Sequence, residues 1–448
     1  MFKKKEQIMS KLFLILSTAV LGLSSTALFA DGHSVDYSGQ GKFIFTTLLF
    51  LIGGFLVMWM AAGFAMLETG LVRSKNASTQ LIKNVALFSL ASIAYFILGY
   101  NIMYPLGDWI IEGYFGKIAL TSLEPVGVAV DAVSDIGYAS DGSDFFFQLM
   151  FCAATASIVS GTVAERVKLW PFLIFTVLLT GIFYPISASW QWGGGWLSEA
   201  GFSDFAGSTV VHATGAAAAL AGAMVIGARH GRYKDDGSVI PMPGSNLPLA
   251  TLGMFILWLG WFGFNGGSQL AMGTVSDIAD VSRIFANTNT AAAGGAVAAL
   301  ILTQIMYGKA DLTMVLNGAL AGLVSITAEP LAPSLGLATI IGAIGGVIIV
   351  FSVPLLDRLK IDDVVGAISV HGIAGVWGTL AVVLSNGDAS FGTQLLGTVS
   401  ICVFTFIVSY VAWLLLDMLM GVRVSEESEI EGLDKTELGI EAYPDFSK

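Results

Sequence analysis

Long apolar runs separated by short polar connections make up most of the chain. Runs long enough to cross a hydrocarbon layer fall at about 43–71, 79–105, 144–167, 169–191, 206–229, 247–271, 285–308, 312–331, 335–357, 364–385 and 393–421, because about 20 apolar helical residues span such a layer. The predicted fold is therefore an all-α membrane protein with eleven transmembrane helices. Basic residues sort cleanly between the two faces this alternation creates. Arg73, Lys75, Lys83, Arg166, Lys168, Arg229, Arg232, Lys234, Lys309, Arg358, Lys360 and Arg423 fall on one face, against Lys42, Lys117 and Arg283 on the other. Basic connections stay in the cytoplasm, so the mature N-terminus is expected outside and the C-terminus inside. One missed helix would scramble that sorting from its position onward.

Two of the runs echo each other. Asp204 precedes His212 by eight residues and Asp363 precedes His371 by eight; each histidine follows a valine, Val211 or Val370, and is trailed by small residues. Helices one to five (about 43–231) and six to ten (about 247–386) are equal and odd in number. If homologous, they sit in the membrane with opposite orientation, as two inverted five-helix repeats plus one extra helix at about 393–421. A weaker echo links GlyPheAlaMetLeuGluThrGly (63–70) in helix one with GlyTrpPheGlyPheAsnGlyGlySer (260–268) in helix six. Inverted repeats place a substrate path at their interface, near the midplane.

Composition changes the picture only at the ends. With 55% hydrophobic and 12% charged residues and a mean hydropathy of +0.77, the chain reads as a multi-pass membrane protein; the cytoplasmic (inner) membrane is the expected location. Residues 1–30 read as a signal peptide: Lys3, Lys4 and Lys5, an apolar stretch from Leu12 to Leu23, and cleavage near Ala30. A membrane domain is expected over 31–421. The tail, 422–448, carries eight acidic residues against Arg423, Lys435 and Lys448, and is expected in the cytoplasm, either flexible or docked. The connection 106–143, with Asp108, Glu112, Glu124, Asp131, Asp135 and Asp141 against Lys117, is either a mild cation concentrator or a solvated loop. Cys152 and Cys402 lie in apolar runs and read as core residues, with no disulfide or metal framework.

Histidine at membrane depth is costly unless it faces the protein interior or an aqueous path, and so marks a functional site. Burial strips an imidazolium of its hydration, so His212 and His371 are expected to be neutral. A neutral ring offers one donor and one acceptor. The pair suits a solute that can be neutral or can hand over a proton, and suits an obligate cation poorly. Near the expected outer mouth lie Phe147, Phe151, Tyr184, Trp190, Trp192, Phe262, Phe264 and Ser268. Such rings form either a cation cage or an interfacial belt. Asp204 reads as a structural carboxylate that fixes a loop or caps a helix start, with a ligand role as the alternative, and Asp363 reads as a structural cap at the start of helix ten.

The segments TrpGlyGlyGly (192–195), AspPheAlaGlySerThrValValHis (204–212), GlyTrpPheGlyPheAsnGlyGlySer (260–268), GlyLeuValArgSerLysAsn (70–76), GlyThrValAlaGluArg (161–166) and AspAspValValGlyAlaIleSerValHis (362–371) together resemble the Amt/Mep ammonium transporter family over residues 43 to 443. The resemblance implies a homotrimer in membrane lipid, each subunit with its own pore, carrying ammonium or ammonia inward. It implies an outer ammonium site of Phe151, Trp192 and Ser268 with Phe147 stacked nearby, a phenyl gate of Phe151 and Phe264, a central pair His212 and His371, a structural Asp204 and a pore-adjacent Thr327. The tail resembles the family's regulatory C-terminus through GluGlyLeuAsp (431–434) and GlyIleGluAlaTyr (439–443). Many members carry histidine-glycine-glutamate where this chain has Leu438, Gly439 and Ile440. The tail's contacts, and a PII-type signal protein as a partner at the cytoplasmic face, are therefore open questions.

The chemistry agrees with that reading. A sieve cannot separate potassium from ammonium, but only ammonium can donate a hydrogen bond to Ser268, and only ammonium can escape an apolar constriction by losing a proton. Whether a proton accompanies the ammonia does not follow from sequence. A second reading is an ammonium sensor acting through a cytoplasmic partner, since no output domain follows residue 448. A third, haem held between His212 and His371, finds no second pair in the chain, whose other two histidines are the separate His33 and His230. No enzymatic motif, cofactor, metal site or nucleic-acid surface is expected.

Overall fold

The computed structural model describes residues 39–123 and 138–446. The expected signal peptide of residues 1–30, together with His33, Glu124, Asp131, Asp135 and Lys448, lies outside the described residues.

Among those residues the chain is helical, with isolated β-bridges and no named strand. Nine helices are long and apolar enough to cross a membrane: α1 (Gly39–Leu71), α2 (Ser74–Met103), α3 (Asp141–Thr162), α4 (Leu169–Ser189), α5 (Ser208–Ile226), α6 (Leu247–Gly267), α7 (Val275–Tyr307), α9 (Leu335–Arg358) and α11 (Phe391–Met420). Two shorter apolar helices, α8 (Leu312–Ile326) and α10 (Ile368–Leu384), complete eleven. The fold is the expected one, two inverted five-helix halves and one extra helix.

The expected boundaries shift where polar residues continue a helix. α7 starts at Val275, well before the expected 285, because Thr274 and Asp277 close a capping box. The Asp277 N–H donates to Thr274 Oγ1 at 3.1 Å, and the Thr274 N–H donates to Asp277 Oδ2 at 2.9 Å. Hydropathy sees only the apolar part of such a helix, whereas capping sets its true start.

The two halves meet along α1 and α6. Glycines allow this approach: a Cβ on Gly253 would sit 2.3 Å from the Leu67 nitrogen, and one on Gly70 would sit 2.5 Å from the Ala250 nitrogen. Small residues of this kind let helices pack backbone to backbone in lipid. α11 lies against α5.

At one end of the bundle, hereafter the basic end, charged groups tie α1, α3, α5 and the start of α10 together. Arg73 pairs with Glu165 at 2.5 Å, Arg229 pairs with Asp362 at 2.8 Å and reaches Glu165 at 3.3 Å, and Arg166 donates to the Asp362 carbonyl at 2.7 Å. Burial would raise the Asp362 carboxyl; the guanidinium groups of Arg166 and Arg229 reverse that and hold it well below the usual carboxylate range.

The tail is docked against this end. It forms a short helix, α12 (Glu426–Glu431). Lys75 Nζ donates to the carbonyls of Glu429 and Ile430, the Ser78 and Thr79 N–H groups donate to the Asp434 carboxylate, and Arg423 pairs with Glu429 at 2.8 Å. At the opposite end, Asp108 and Lys117 form an exposed ion pair at 2.8 Å. Cys152 is buried and Cys402, on α11, is half-buried; both are free thiols.

A candidate conduction path

The two histidines are positioned by one local device used twice. Asp204 Oδ1 accepts from the N–H groups of Gly207 (3.1 Å) and Ser208 (2.8 Å), and Oδ2 accepts from Thr209 and Val210, each at 2.8 Å. This carboxylate satisfies the orphan donors at the start of α5. Asp363 Oδ2 accepts from the Ile368 N–H at 2.7 Å, and its other oxygen accepts from Thr162 Oγ1 at 2.9 Å. Three residues after each aspartate stands a left-handed glycine, Gly207 at φ 104° and Gly366 at φ 84°. Each helix then opens with a wide π-helical turn, Ser208–Ala213 and Ile368–Ile373, that carries the histidine. Such turns recur at functional sites. The Asp-to-His spacing seen in sequence is this cap, turn and ring.

The rings of His212 and His371 meet between the halves. Their Nδ1 atoms are 3.2 Å apart and the ring centroids 5.1 Å, with the planes inclined by 29°. One ring must carry its proton on Nδ1 and the other must accept there. Both are almost fully buried, 1% and 4% exposed. His212 Nε2 has no hydrogen-bond partner among the described residues.

On the side away from the basic end, aromatic rings stack above this pair. Phe264 lies 5.2 Å from His212, and Phe151 lies 4.1 Å from Phe264, centroid to centroid. Phe151 in turn meets the Trp192 edge at 5.9 Å and Phe147 at 4.8 Å, with Phe147 stacked on Phe50 at 5.2 Å. Trp192 Nε1 donates to the Asp204 carbonyl at 3.0 Å, so the residue that caps α5 also orients this indole. Ser268 Oγ donates to the Phe264 carbonyl at 2.8 Å. Its proton is thereby used within the helix, and toward any solute the hydroxyl can only accept.

Thr327 stands one step from the path. It accepts from Trp261 Nε1 at 2.8 Å and donates to the Leu323 carbonyl at 2.7 Å, and Trp261 stacks on His212 at 5.0 Å. Thr327 therefore touches the histidine only through Trp261. Three of the expected mouth aromatics are elsewhere. Trp190 packs on Trp196 and Phe404, Phe262 packs on Phe285, and Tyr184 is buried in the core. Trp190 and Trp192 both follow the end of α4, and on α6 it is Phe264 that meets the path while Phe262 meets Phe285 of α7.

Sequence reasoning missed two features. Trp261 lies inside a quoted motif, but its stacking on His212 is a tertiary fact. Lys83 reads as a basic end residue, yet it is 1% exposed inside the bundle. It donates to Gln80 Oε1 and to the Ser160 carbonyl, each at 3.0 Å, beside the buried Glu68. No three-residue cluster of metal-ligating side chains occurs among the described residues.

The pattern matches one family over residues 48–443, the Ammonium Transporter Family. The chain belongs to it. It is 40% identical over 427 residues to ammonium transporter Amt2 of Archaeoglobus fulgidus, covering 88% of this chain and 87% of that one. It is 34% identical over 420 residues to the ammonium transporter of Bacillus subtilis, covering 89% and 98%. Among solved structures it is similar to a sensor Amt protein, with TM-score 0.81 and 34% identity over 89% of this chain and 99% of that one. It is also similar to Candida albicans Mep2, with TM-score 0.76 and 26% identity over 88% and 89%.

Proposed function

We propose that this member of the Ammonium Transporter Family takes ammonium from outside the cell, removes its proton at an aromatic constriction, and conducts ammonia inward past a twin-histidine centre that relays the proton. Membership of the family supports ammonium transport across a membrane. The observation that carries the finer mechanism is the pair of buried imidazoles, Nδ1 to Nδ1 at 3.2 Å, beneath two phenyl rings 4.1 Å apart.

Trp192 and Phe151 offer aromatic faces to a cation, an attraction of about 0.5–2 kcal/mol, with Phe147 behind them. Ser268 presents only lone pairs, which a hydrogen-bond donor satisfies and potassium satisfies less specifically. The rings of Phe151 and Phe264 and the imidazoles beyond them are buried, so a cation entering there loses several kcal/mol of solvation. Ammonium avoids that loss by leaving its proton behind. The hydrogen-bonded imidazoles can accept the proton at one ring and release it at the other, while ammonia passes as a neutral solute. Asp204 and Asp363 hold the two rings in register, and Thr327 does so through Trp261.

The basic end is assigned to the cytoplasm because Lys and Arg accumulate there. The mature N-terminus is then outside after cleavage near Ala30, and the protein works as a homotrimer in the inner membrane. The docked tail is assigned a regulatory role, with a PII-type protein as its partner. A sensing role gains support from the similar sensor Amt protein and from the tail's direct contact with the start of α2; sustained methylammonium flux through the purified protein in liposomes would argue against sensing as the sole role.

The test is uptake of labelled methylammonium by liposomes carrying His212→Ala or His371→Ala. Each variant should assemble and lose selective uptake. Wild-type uptake and ion selectivity in both would refute the twin-histidine mechanism.

A further inference from the structure

Glu68 is a buried carboxylate that none of the steps above uses. It sits near the basic end of α1, 1% exposed. Its Oε2 accepts from Gln80 Nε2, from Asn84 Nδ2 at 2.7 Å and from Ser160 Oγ at 3.0 Å. Its other oxygen, Oε1, has no hydrogen-bond donor among the described residues and lies beside Gly161. A Cβ on that glycine would be 3.1 Å from Oε1 and 2.5 Å from Val365 Cγ2. Lys83 is the charged group facing this cluster, held by Gln80 and Ser160, and Arg166 stands beyond it.

The position matters more than the burial. Glu68, Val365 and His371 line one narrow cavity, together with Phe64 and Ser157. Asn317 and Val365 line both this cavity and the wide mouth at the basic end. Anything that leaves His371 toward that mouth passes the side of the fold where Glu68 stands. The sequence echo between the halves adds a second observation. Aligning Gly63 with Gly260 and Gly70 with Gly267 places Glu68 opposite Asn265. Asn265 is three residues from Ser268, and its Oδ1 is buried without a partner among the described residues. The inverted counterpart of the outer capture region therefore contains Glu68.

We propose that Glu68 forms an inner ammonium site, where ammonia leaving the histidine pair recovers its proton and is held as ammonium before release. This rests on the deprotonation mechanism proposed above. The proton balance is closed. Ammonium gives one proton to the histidine pair and becomes ammonia; the imidazolium of His371 returns one proton to ammonia in the cavity, leaving a neutral ring and ammonium beside the Glu68 carboxylate. Oε2 is occupied by protein donors, and Oε1 is the oxygen left to accept from the cation. Lys83 and the three donors keep the carboxylate in place when the site is empty and weaken its hold on the cation, which favours release.

The test compares the two faces of the membrane. Apparent affinity for labelled methylammonium is measured separately from the outer and the inner face of liposomes holding oriented full-length protein. Glu68→Gln keeps the shape and the acceptor oxygen but loses the charge. Apparent affinity from the inner face should weaken by about tenfold or more, as expected when a charge-assisted hydrogen bond becomes a neutral one, while affinity from the outer face stays at the wild-type value. No change, or an equal change from both faces, overturns the inner site and leaves a structural clamp between α1, α2 and α3. If Glu68→Gln does not assemble, Glu68→Asp, which keeps the charge and withdraws it from the cavity, takes its place: weakening from the inner face alone supports the site, and no change or an equal change overturns it. A wild-type protein with no saturable transport from either face would overturn the transport mechanism itself, and the inner site with it.

Discussion

Replacing Asp204 with asparagine separates the device that holds His212 from the chemistry that His212 performs. Asp204 accepts four backbone N–H groups, two on each oxygen. Asparagine keeps one oxygen and turns an NH2 group toward two of those donors. Two hydrogen bonds to a charged acceptor are lost, and two buried N–H groups are left unpaired, so the cost is about 3–6 kcal/mol. Asp363 makes a built-in comparison, with the Ile368 N–H on one oxygen and the Thr162 hydroxyl on the other. A hydroxyl can rotate to donate elsewhere or accept from the new NH2, so Asp363→Asn should cost no more than about half as much. Unfolding of the purified variants in mixed detergent micelles gives the two free-energy differences directly. Methylammonium uptake should fall in the same order, because the α5 cap sets the His212 ring and, through its carbonyl, the Trp192 indole. The reasoning fails if Asp204→Asn stays within about 1 kcal/mol of the parent, or if Asp363→Asn proves the more damaging of the two.

Three other perturbations probe the path and the tail. Trp192→Leu removes cation–π attraction of about 0.5–2 kcal/mol, so the concentration giving half-maximal methylammonium uptake should rise between roughly twofold and thirtyfold; an unchanged value would return Trp192 to an interfacial role. Phe264→Ala removes one of the two rings 4.1 Å apart and should raise potassium permeation measured by flux from loaded liposomes, whereas a potassium-tight variant would place the barrier elsewhere. Truncation after Arg423 removes Glu429 and Asp434, which dock the tail on Arg423, Ser78 and Thr79. Flux should fall or lose regulation while trimer assembly and ammonium selectivity persist on chromatography and in liposomes; a potassium leak would make the tail part of the conducting unit.

The eleven helices, their inversion and the two histidines were legible because each leaves a periodic mark. Hydropathy repeats with each crossing, and Asp204 to His212 repeats as Asp363 to His371. Other features leave no such mark. The start of α7 depends on the Thr274 cap, outside any apolar run. Lys83 reads as a boundary charge, because its burial depends on Glu68, Gln80 and Ser160 arriving from three helices. Trp190, Phe262 and Trp192 are alike in sequence, and only packing decides that Trp192 alone faces Phe151. Thr327 and Trp261 form a hydrogen bond across 66 residues, a pairing that no local pattern encodes.

The central claim is that an ammonium ion must lose its proton to pass the phenyl rings, and that the histidine pair carries that proton. Currents from reconstituted wild-type protein, recorded on pulses of ammonium and of potassium at matched concentration, test it most directly. A current on ammonium and none on potassium is the expected result. Comparable currents on both would show a cation passing intact, and would contradict the account.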